Sequence, residues 1–300
     1  MKRFEYLCAP DIVGITQTCK AALKKYAEQI LFYDTATKNQ EELILRVKDA
    51  DAILINWKTS IDKKVIDASL KLKYIGVCGT NTAQIDLESA RERGIQISTV
   101  KNYTDFATVE FIFQQILNYY KGNSLHDNIP NNITNITREL YGKNLGIVGL
   151  GVIGEKVAQM GLAFGMQVFY YSRTRKEKVE EQGVTYLPLQ ELLKHSEVIS
   201  FHVPPFTQAV TKEDLRKLNK GTLLINTCVG AIFNEEELRE YILLEKSTVI
   251  FDRVAGMFYS SSITKLPHMV VLPTMAGITV ESVQRLDGSV LANVRKYLNN

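Results

Sequence analysis

Short apolar runs alternate with longer polar segments along most of the chain. Residues 4–8, 52–55, 74–77 and 95–100 read as buried strands. Between them, 16–30 and 61–70 are polar with apolar residues at helical spacing, which predicts helices. Residues 104–121 carry a nearly continuous apolar middle from Phe106 to Tyr120, as expected of a helix buried between domains. The stretch 121–137 is rich in Asn and turn formers and reads as a linker. A second series starts at Leu145, with strands expected at 145–149, 167–172, 197–203, 222–226, 248–252 and 269–272. Its helices are expected at 152–164, 188–194, 211–218 and 234–243, and a final helix from about 280 to the end. Asn234 followed three residues on by Glu237 marks a capped helix start. Strands alternating with helices mean βαβ units and parallel sheets. The pattern therefore gives an α/β chain of two units joined near residue 104.

Composition narrows the function classes. The chain has 300 residues, 45% hydrophobic and 23% charged, and a formal net charge of +3. So small an excess gives no reason to expect a nucleic-acid or membrane-surface partner. No apolar run is long enough to span a bilayer, and the opening Met1-Lys2-Arg3-Phe4-Glu5 lacks the apolar core of a signal peptide. A cytoplasmic location is expected. Cys8, Cys19, Cys78 and Cys228 are scattered, which suggests reduced thiols and no metal site. Asn132-Ile-Thr134 and Asn135-Ile-Thr137 match the glycosylation pattern but have no role in a chain that is not secreted.

Candidate chemistry begins at Gly149-Leu150-Gly151-Val152-Ile153-Gly154. It follows an apolar strand and opens an apolar helix. In such a loop the first glycine permits a tight turn and the second lets backbone approach a pyrophosphate. The third lets helix and strand pack closely. The pyrophosphate then sits on the free N–H groups of the helix. The next strand runs into Ser172-Arg173-Thr174-Arg175-Lys176, with no acid for ribose hydroxyls and three cations. Arginine can take a 2′-phosphate bidentately, so NADP(H) is favoured over NAD(H); the alternative is a solvated basic turn.

At this point the chain resembles the D-isomer-specific 2-hydroxyacid dehydrogenase family, nearest its glyoxylate/hydroxypyruvate reductase branch. The resemblance rests on Ile85-Asp86-Leu87 with Glu92-Arg93-Gly94-Ile95, Asn102-Tyr-Thr-Asp with Val109-Glu110, Tyr141-Gly142-Lys143 and the glycine loop. It rests also on Tyr170-Tyr-Ser-Arg-Thr-Arg-Lys, His202-Val203-Pro204, Ile225-Asn226-Thr227 and Pro273 with Ala276-Gly277. It implies a Rossmann dinucleotide-binding domain, 104–280, inserted into a flavodoxin-like substrate domain of 1–103 plus 281–300, with the active site in the cleft. It also implies cofactor contacts at Thr227, Cys228, Asp252 and Gly277 beside the glycine loop and His202-Val203-Pro204, and a substrate loop at Gly79, Thr80 and Asn81.

The family's reaction rests on an arginine that grips the substrate carboxylate, a histidine that moves the proton and a glutamate that holds the histidine. Carried over by position, Val229 stands for the arginine, Met257 for the glutamate and Thr274 for the histidine. Between Asp252 and Glu281 there is no acidic residue. His268 lies six residues before Thr274, ~20 Å along a strand and at its wrong end. The substrate loop departs too, with Asn81 and Ala83 where the resemblance implies Gly and Asp. Remaining candidates for a proton donor are His202, Tyr103 and Tyr259, the tyrosines being expected in loops that face the cleft. His202 reads as a structural or cofactor contact before it reads as a proton donor, Cys228 as a packing residue, and Arg253 as a surface or salt-bridge residue before a displaced cation. Two functions follow. One is an NADP(H)-dependent oxidoreductase acting on a carbonyl or imine other than a standard 2-hydroxy or 2-keto acid. The other is a non-catalytic NADP(H)-binding sensor or scaffold. A small-molecule substrate and a homodimer through helix 104–120 are expected.

Overall fold

A computed structural model of the protein describes residues 2–122, 137–245 and 247–300. Contacts divide the chain into one unit of 1–103 with 279–300 and another of 104–278.

The first unit holds a five-stranded parallel sheet of β1 (Phe4–Ala9), β2 (Ala27–Phe32), β3 (Ala52–Ile55), β4 (Tyr74–Val77) and β5 (Gln96–Ser98). The strand order β2-β1-β3-β4-β5 is the flavodoxin-like arrangement. Every residue of β3 and β4 is buried, which is why each reads as an apolar run. Thr16, Asn39, Asp62 and Asp86 each cap a helix by accepting from the backbone N–H three residues on. The last helix, Val280–Asn299, sends Leu286, Val290, Val294 and Leu298 into the same core as Phe4, Leu7, Leu54 and Tyr74. Those four residues recur every four positions, one face of a helix. The Tyr297 ring lies 5.4 Å from that of Phe4 and 4.7 Å from that of Tyr74. Asp287 accepts the Thr16 N–H at 3.1 Å, and Asn293 donates to the Thr99 carbonyl at 3.0 Å.

The second unit holds seven parallel strands. They are β6 (Asn144–Val148), β7 (Gln167–Tyr171), β8 (Thr185–Tyr186), β9 (Val198–Phe201), β10 (Leu223–Asn226), β11 (Thr248–Phe251) and β12 (Met269–Val271). Their order, β12-β11-β10-β9-β6-β7-β8, is the Rossmann order with a seventh strand added. Side chains alternate between two cores: Leu145, Ile147, Leu223 and Ile225 on one face, Val148, Phe201, Leu224 and Phe251 on the other. The helix Asp105–Lys121 buries Val109, Ile112, Phe113 and Ile116 in the first of these and stops at Gly122, φ 68°. The architecture is thus α/β, a Rossmann unit inserted into a flavodoxin-like one.

The expected helix over 16–30 is corrected. The helix is Gln17–Leu23, a turn of 3₁₀ helix follows at Lys24–Tyr26, and the rest is β2. Strand β8 and the helices Gln40–Val47 and Leu87–Glu92 were not expected at all. The 197–203 strand ends at Phe201, so His202 starts the loop beyond it. Of the expected linker 121–137, residues 123–136, with both glycosylation-type triplets except Thr137, lie outside the described residues. Among the described residues, no helix is long and apolar enough to cross a membrane. Nor do they hold three or more His, Cys, Asp or Glu grouped to bind a metal ion.

Candidate active site

In an open parallel sheet the loops after the strands share one edge, and ligands bind there where the strand order reverses. In the Rossmann unit the reversal lies between β6 and β9. The loop after β6 is the glycine loop. Gly149 has φ +99°, and a Cβ there would stand 2.2 Å from the His202 carbonyl oxygen. A Cβ on Gly154 would stand 2.3 Å from the Gly149 carbonyl oxygen. Gly151 differs, because a Cβ there would meet nothing within 4 Å. The first and third glycines are therefore required by the fold, while the space at the second is open. Gly151 is also the N-cap of the helix Val152–Ala163, and no side chain caps that end. Free N–H groups beside an open cradle fit the pyrophosphate of a dinucleotide.

After β7, the Ser172 hydroxyl turns inward to the Thr174 carbonyl. Arg173 is exposed and has no ion-pair partner among the described residues. The other two cations are engaged. Arg175 donates through Nε to Glu180 Oε1 at 3.1 Å and through Nη2 to Oε2, and it covers the Tyr186 ring at 5.1 Å. Lys176 lies 3.9 Å from Glu155. Glu180 also accepts from the buried Tyr170 hydroxyl at 2.7 Å, and that hydroxyl accepts the Lys176 N–H at 2.7 Å. These donors hold the Glu180 carboxyl below the usual carboxylate range, the Arg175 bond being the largest cause. The sequence reading of a loop without an acid therefore missed one, five residues beyond Arg175.

The loops after β9, β10, β11 and β12 carry the other candidates side by side. His202 shares a hydrogen bond with Ser200 through Nε2 at 2.9 Å, and burial pulls its imidazole down to about 3. It is neutral at physiological pH. Val203 is half-buried and Pro204 exposed. Thr227 and Val229 are half-buried, and the Val229 carbonyl accepts the Phe206 N–H at 2.9 Å. Phe206 is exposed, with φ +59°, and packs edge-on to Phe258 at 5.7 Å. Cys228 is buried with its thiol against the Phe201 carbonyl at 3.2 Å, and burial pushes it up to about 12. It is a packing thiol. Asn226 of the Ile225-Asn226-Thr227 motif accepts the Cys228 N–H at 2.8 Å, and its own buried amide nitrogen has no partner among the described residues.

Asp252 caps the turn after β11 by accepting Ala255 N–H at 2.8 Å and Ala276 N–H at 2.9 Å, which ties the β11 and β12 loops together. Burial lifts its carboxyl above the ordinary value despite those donors. The Arg253 N–H donates to the Thr274 carbonyl at 2.9 Å, while its exposed side chain makes no ion pair among the described residues. The salt-bridge reading of Arg253 is thereby corrected. Met257 is 53% exposed, and Thr274 is exposed. Gly277 is closed rather than open, since a Cβ would lie 2.8 Å from Thr104 Cβ.

Tyr259 is not a loop residue presented to a ligand. It is buried among Phe233, Phe251 and Ile263. Its hydroxyl accepts the Phe233 N–H at 3.1 Å, and burial raises it to about 12. In the flavodoxin-like unit, Gly79 accepts the Val100 N–H at 2.8 Å after β4, Thr80 is exposed, and Asn81 folds onto the Ala83 N–H at 3.1 Å. Tyr103 is half-buried against the core of that unit, and burial raises its hydroxyl.

The geometry agrees with what the chain is similar to. The profile of the D-isomer specific 2-hydroxyacid dehydrogenase NAD binding domain matches residues 114–276. A glyoxylate reductase of Korarchaeum cryptofilum is 27% identical over 291 residues, covering 91% of this chain and 87% of that one. The crystal structure of the TT0316 protein from Thermus thermophilus superposes with a TM-score of 0.84 at 25% identity, covering 98% and 96% of the two chains. An acyclic imino acid reductase in complex with NADPH and D-Arg has the same fold, with a TM-score of 0.83 at 22% identity over 98% and 97%. The matched domain, more than half of the chain, together with the glycine cradle and the strand order, makes this protein a member of the D-isomer specific 2-hydroxyacid dehydrogenase family, whose members are nicotinamide-dependent oxidoreductases.

Proposed function

We propose that the chain is an oxidoreductase that prefers NADP(H) and reduces a carbonyl or imine compound other than a standard 2-keto acid. The carrying observation is the pairing of Arg173 after β7, which has no ion-pair partner among the described residues, with Val229, Met257 and Thr274 after β10, β11 and β12. Gly149, Gly151, Val152, Ile153 and Gly154 would hold the pyrophosphate, and Ser172, Arg173 and Thr174 the adenosine end. His202, Val203, Pro204, Thr227, Cys228 and Asp252 would line the remainder. When bound, the nicotinamide would supply a hydride; a neutral imine is basic enough to take its proton from water before the transfer and so needs no donor from the protein, whereas a carbonyl does. His202 is already neutral, Tyr259 is locked to Phe233 and burial raises the Tyr103 hydroxyl, so none of the three offers that proton readily. This chemistry favours an imine over a ketone. Val229, Met257 and the exposed Phe206 make the edge apolar, which suits a neutral or apolar substrate.

The same shortage of proton donors supports a second reading, a non-catalytic NADP(H)-binding protein. One experiment separates the two. NADPH consumption is followed with a panel of imines, ketones, glyoxylate, hydroxypyruvate and D-lactate beside titrations of NADPH and NADH. The first reading expects turnover on imines alone or on imines and apolar ketones. Binding without any turnover supports the second, and equal affinity for the two dinucleotides refutes the NADP(H) preference.

We also infer a homodimer through the helix Asp105–Lys121 and its neighbours, because Phe106, Tyr141, Met160 and Phe164 keep apolar area exposed on the Rossmann unit. Light scattering that gives a monomer at micromolar concentration refutes it. Four buried, unpaired cysteines fit a reducing compartment, the cytoplasm.

A further inference from the structure

We propose that Glu180 weakens the NADP(H) preference of this site by cancelling Arg175, so that Arg173 alone distinguishes the 2′-phosphate. The inference rests on the reading that the loop after β7 takes the adenosine end of the cofactor.

The anchor of the arrangement is Tyr170, fully buried in β7, whose hydroxyl donates to Glu180 Oε1 at 2.7 Å. The Lys176 N–H on the same hydroxyl pins the loop to the strand at 2.7 Å. The carboxylate so placed takes Arg175 edge-on through Nε and Nη2, the paired geometry in which a guanidinium and a carboxylate match best. The Arg175 side chain is 60% exposed and that of Glu180 21%, so the pair lies at the surface with the acid beneath. The Tyr186 ring fixes the other side of the guanidinium. A cation held in this way brings a negative charge with it. A phosphate approaching the loop therefore meets Arg175 and Glu180 together, close to zero net charge, and Lys176 partly offset by Glu155. Of the three, Arg173 is the cation with no ion-pair partner among the described residues.

Removing one unit charge from the neighbourhood of a phosphate of about −2 is on the order of a 3- to 6-fold change in Kd at low ionic strength. Screening reduces it at high salt. The test is titration of the protein with NADPH and NADH, and with 2′,5′-ADP and 5′-AMP as probes of the adenosine end alone. The variants are Glu180→Gln, Arg175→Ala and the double variant, with circular dichroism and thermal midpoints as the check on folding.

Glu180→Gln is expected to tighten NADPH and 2′,5′-ADP 3- to 6-fold and to leave NADH and 5′-AMP within twofold, with the gain shrinking at 0.5 M salt. Arg175→Ala is expected to weaken NADPH, because it uncovers Glu180, and the double variant to return near the native value. If Glu180→Gln weakens NADPH, the acid positions Arg175 for the phosphate and the proposal is overturned. A change that moves both dinucleotides together overturns it as well, since that reports loop structure and not charge. The underlying reading fails separately: it is sunk by equal NADPH and NADH affinities in the native protein, whatever Glu180→Gln does to their ratio.

Discussion

Gly151→Ala and Gly149→Ala should separate ligand binding from folding within a single loop. At position 151 the backbone has φ −89° and ψ −164°, open to any L-residue, and a Cβ finds nothing within 4 Å. The folded protein should therefore accept alanine within ~1 kcal/mol. The lost N-cap preference and the gain from a stiffer unfolded chain are each of about that size and oppose one another. At position 149 the backbone is left-handed, φ +99°, which costs an L-residue ~1–2 kcal/mol, and the added carbon would overlap the His202 carbonyl oxygen at 2.2 Å. Relieving that overlap means shifting β6 against the end of β9. A total of ~2–4 kcal/mol follows, or a midpoint ~4–16 °C lower for a unit of this size. Binding should show the reverse contrast. The methyl at 151 occupies the cradle, and loss of one or two charge-assisted backbone contacts at ~1.5–3 kcal/mol each corresponds to a Kd at least tenfold weaker for NADPH. Differential scanning calorimetry and fluorescence titration measure the two effects on the same samples. Gly151→Ala protein that binds NADPH like the native chain would refute the placement of the pyrophosphate. A Gly151→Ala midpoint as low as that of Gly149→Ala would refute the division of labour among the glycines.

His202 is neutral in the fold, near 3 against 6.5 unfolded, so the unfolded chain binds the extra proton as pH falls below 6.5. Stability from this group should therefore be whole above pH 6.5 and decline as pH falls toward 3, by at most ~1.4 kcal/mol per unit, and His202→Gln should flatten that slope in urea titrations. Tyr259→Phe should lower the urea midpoint by the equivalent of about 1–2 kcal/mol, for the orphaned Phe233 N–H, while leaving turnover on any accepted substrate within twofold. The combined change Val229→Arg, Met257→Glu and Thr274→His should confer measurable glyoxylate or hydroxypyruvate reduction where each single change does not, because such groups act as a unit. A folded, NADPH-binding triple variant that stays silent in that assay would withdraw the assignment of these three positions.

Most of the Rossmann strands were legible because strands buried on both faces spell continuous apolar runs; β10 is Leu-Leu-Ile-Asn with every residue buried. Strand β2 was hidden for the opposite reason. It is an edge strand with Glu28 and Gln29 exposed, and its polar positions matched a helix as readily. The glycine loop was readable as a motif, but the different work of its three glycines needed the neighbouring carbonyls of His202 and Gly149. The three cations at 173, 175 and 176 were equally plain, whereas Glu180 comes back onto Arg175 only through the short helix Glu177–Glu180. Tyr259 was misplaced because 253–264 folds as two four-residue helices, too short to show a period, which turn its ring into the core.

The helix Val280–Asn299 has a bearing on the order in which the chain can mature during synthesis. Its Leu286, Val290, Val294 and Leu298 complete a core whose other members, from Phe4 to Tyr103, are made first. The whole of 104–278 lies between them, about 175 residues, or roughly 10–35 s of translation at ~5–20 residues per second. Through that interval the sheet from β1 to β5 has one apolar face without its closing helix, while the Rossmann unit emerges as an uninterrupted stretch able to fold on its own schedule. The part of the chain made first is thus finished last. Nascent-chain proteolysis should find 1–103 still cleavable after 104–278 has become resistant, and a stop codon within the last twenty residues should act on the flavodoxin-like unit, some 180 positions upstream of the lesion, with the dinucleotide cradle left intact.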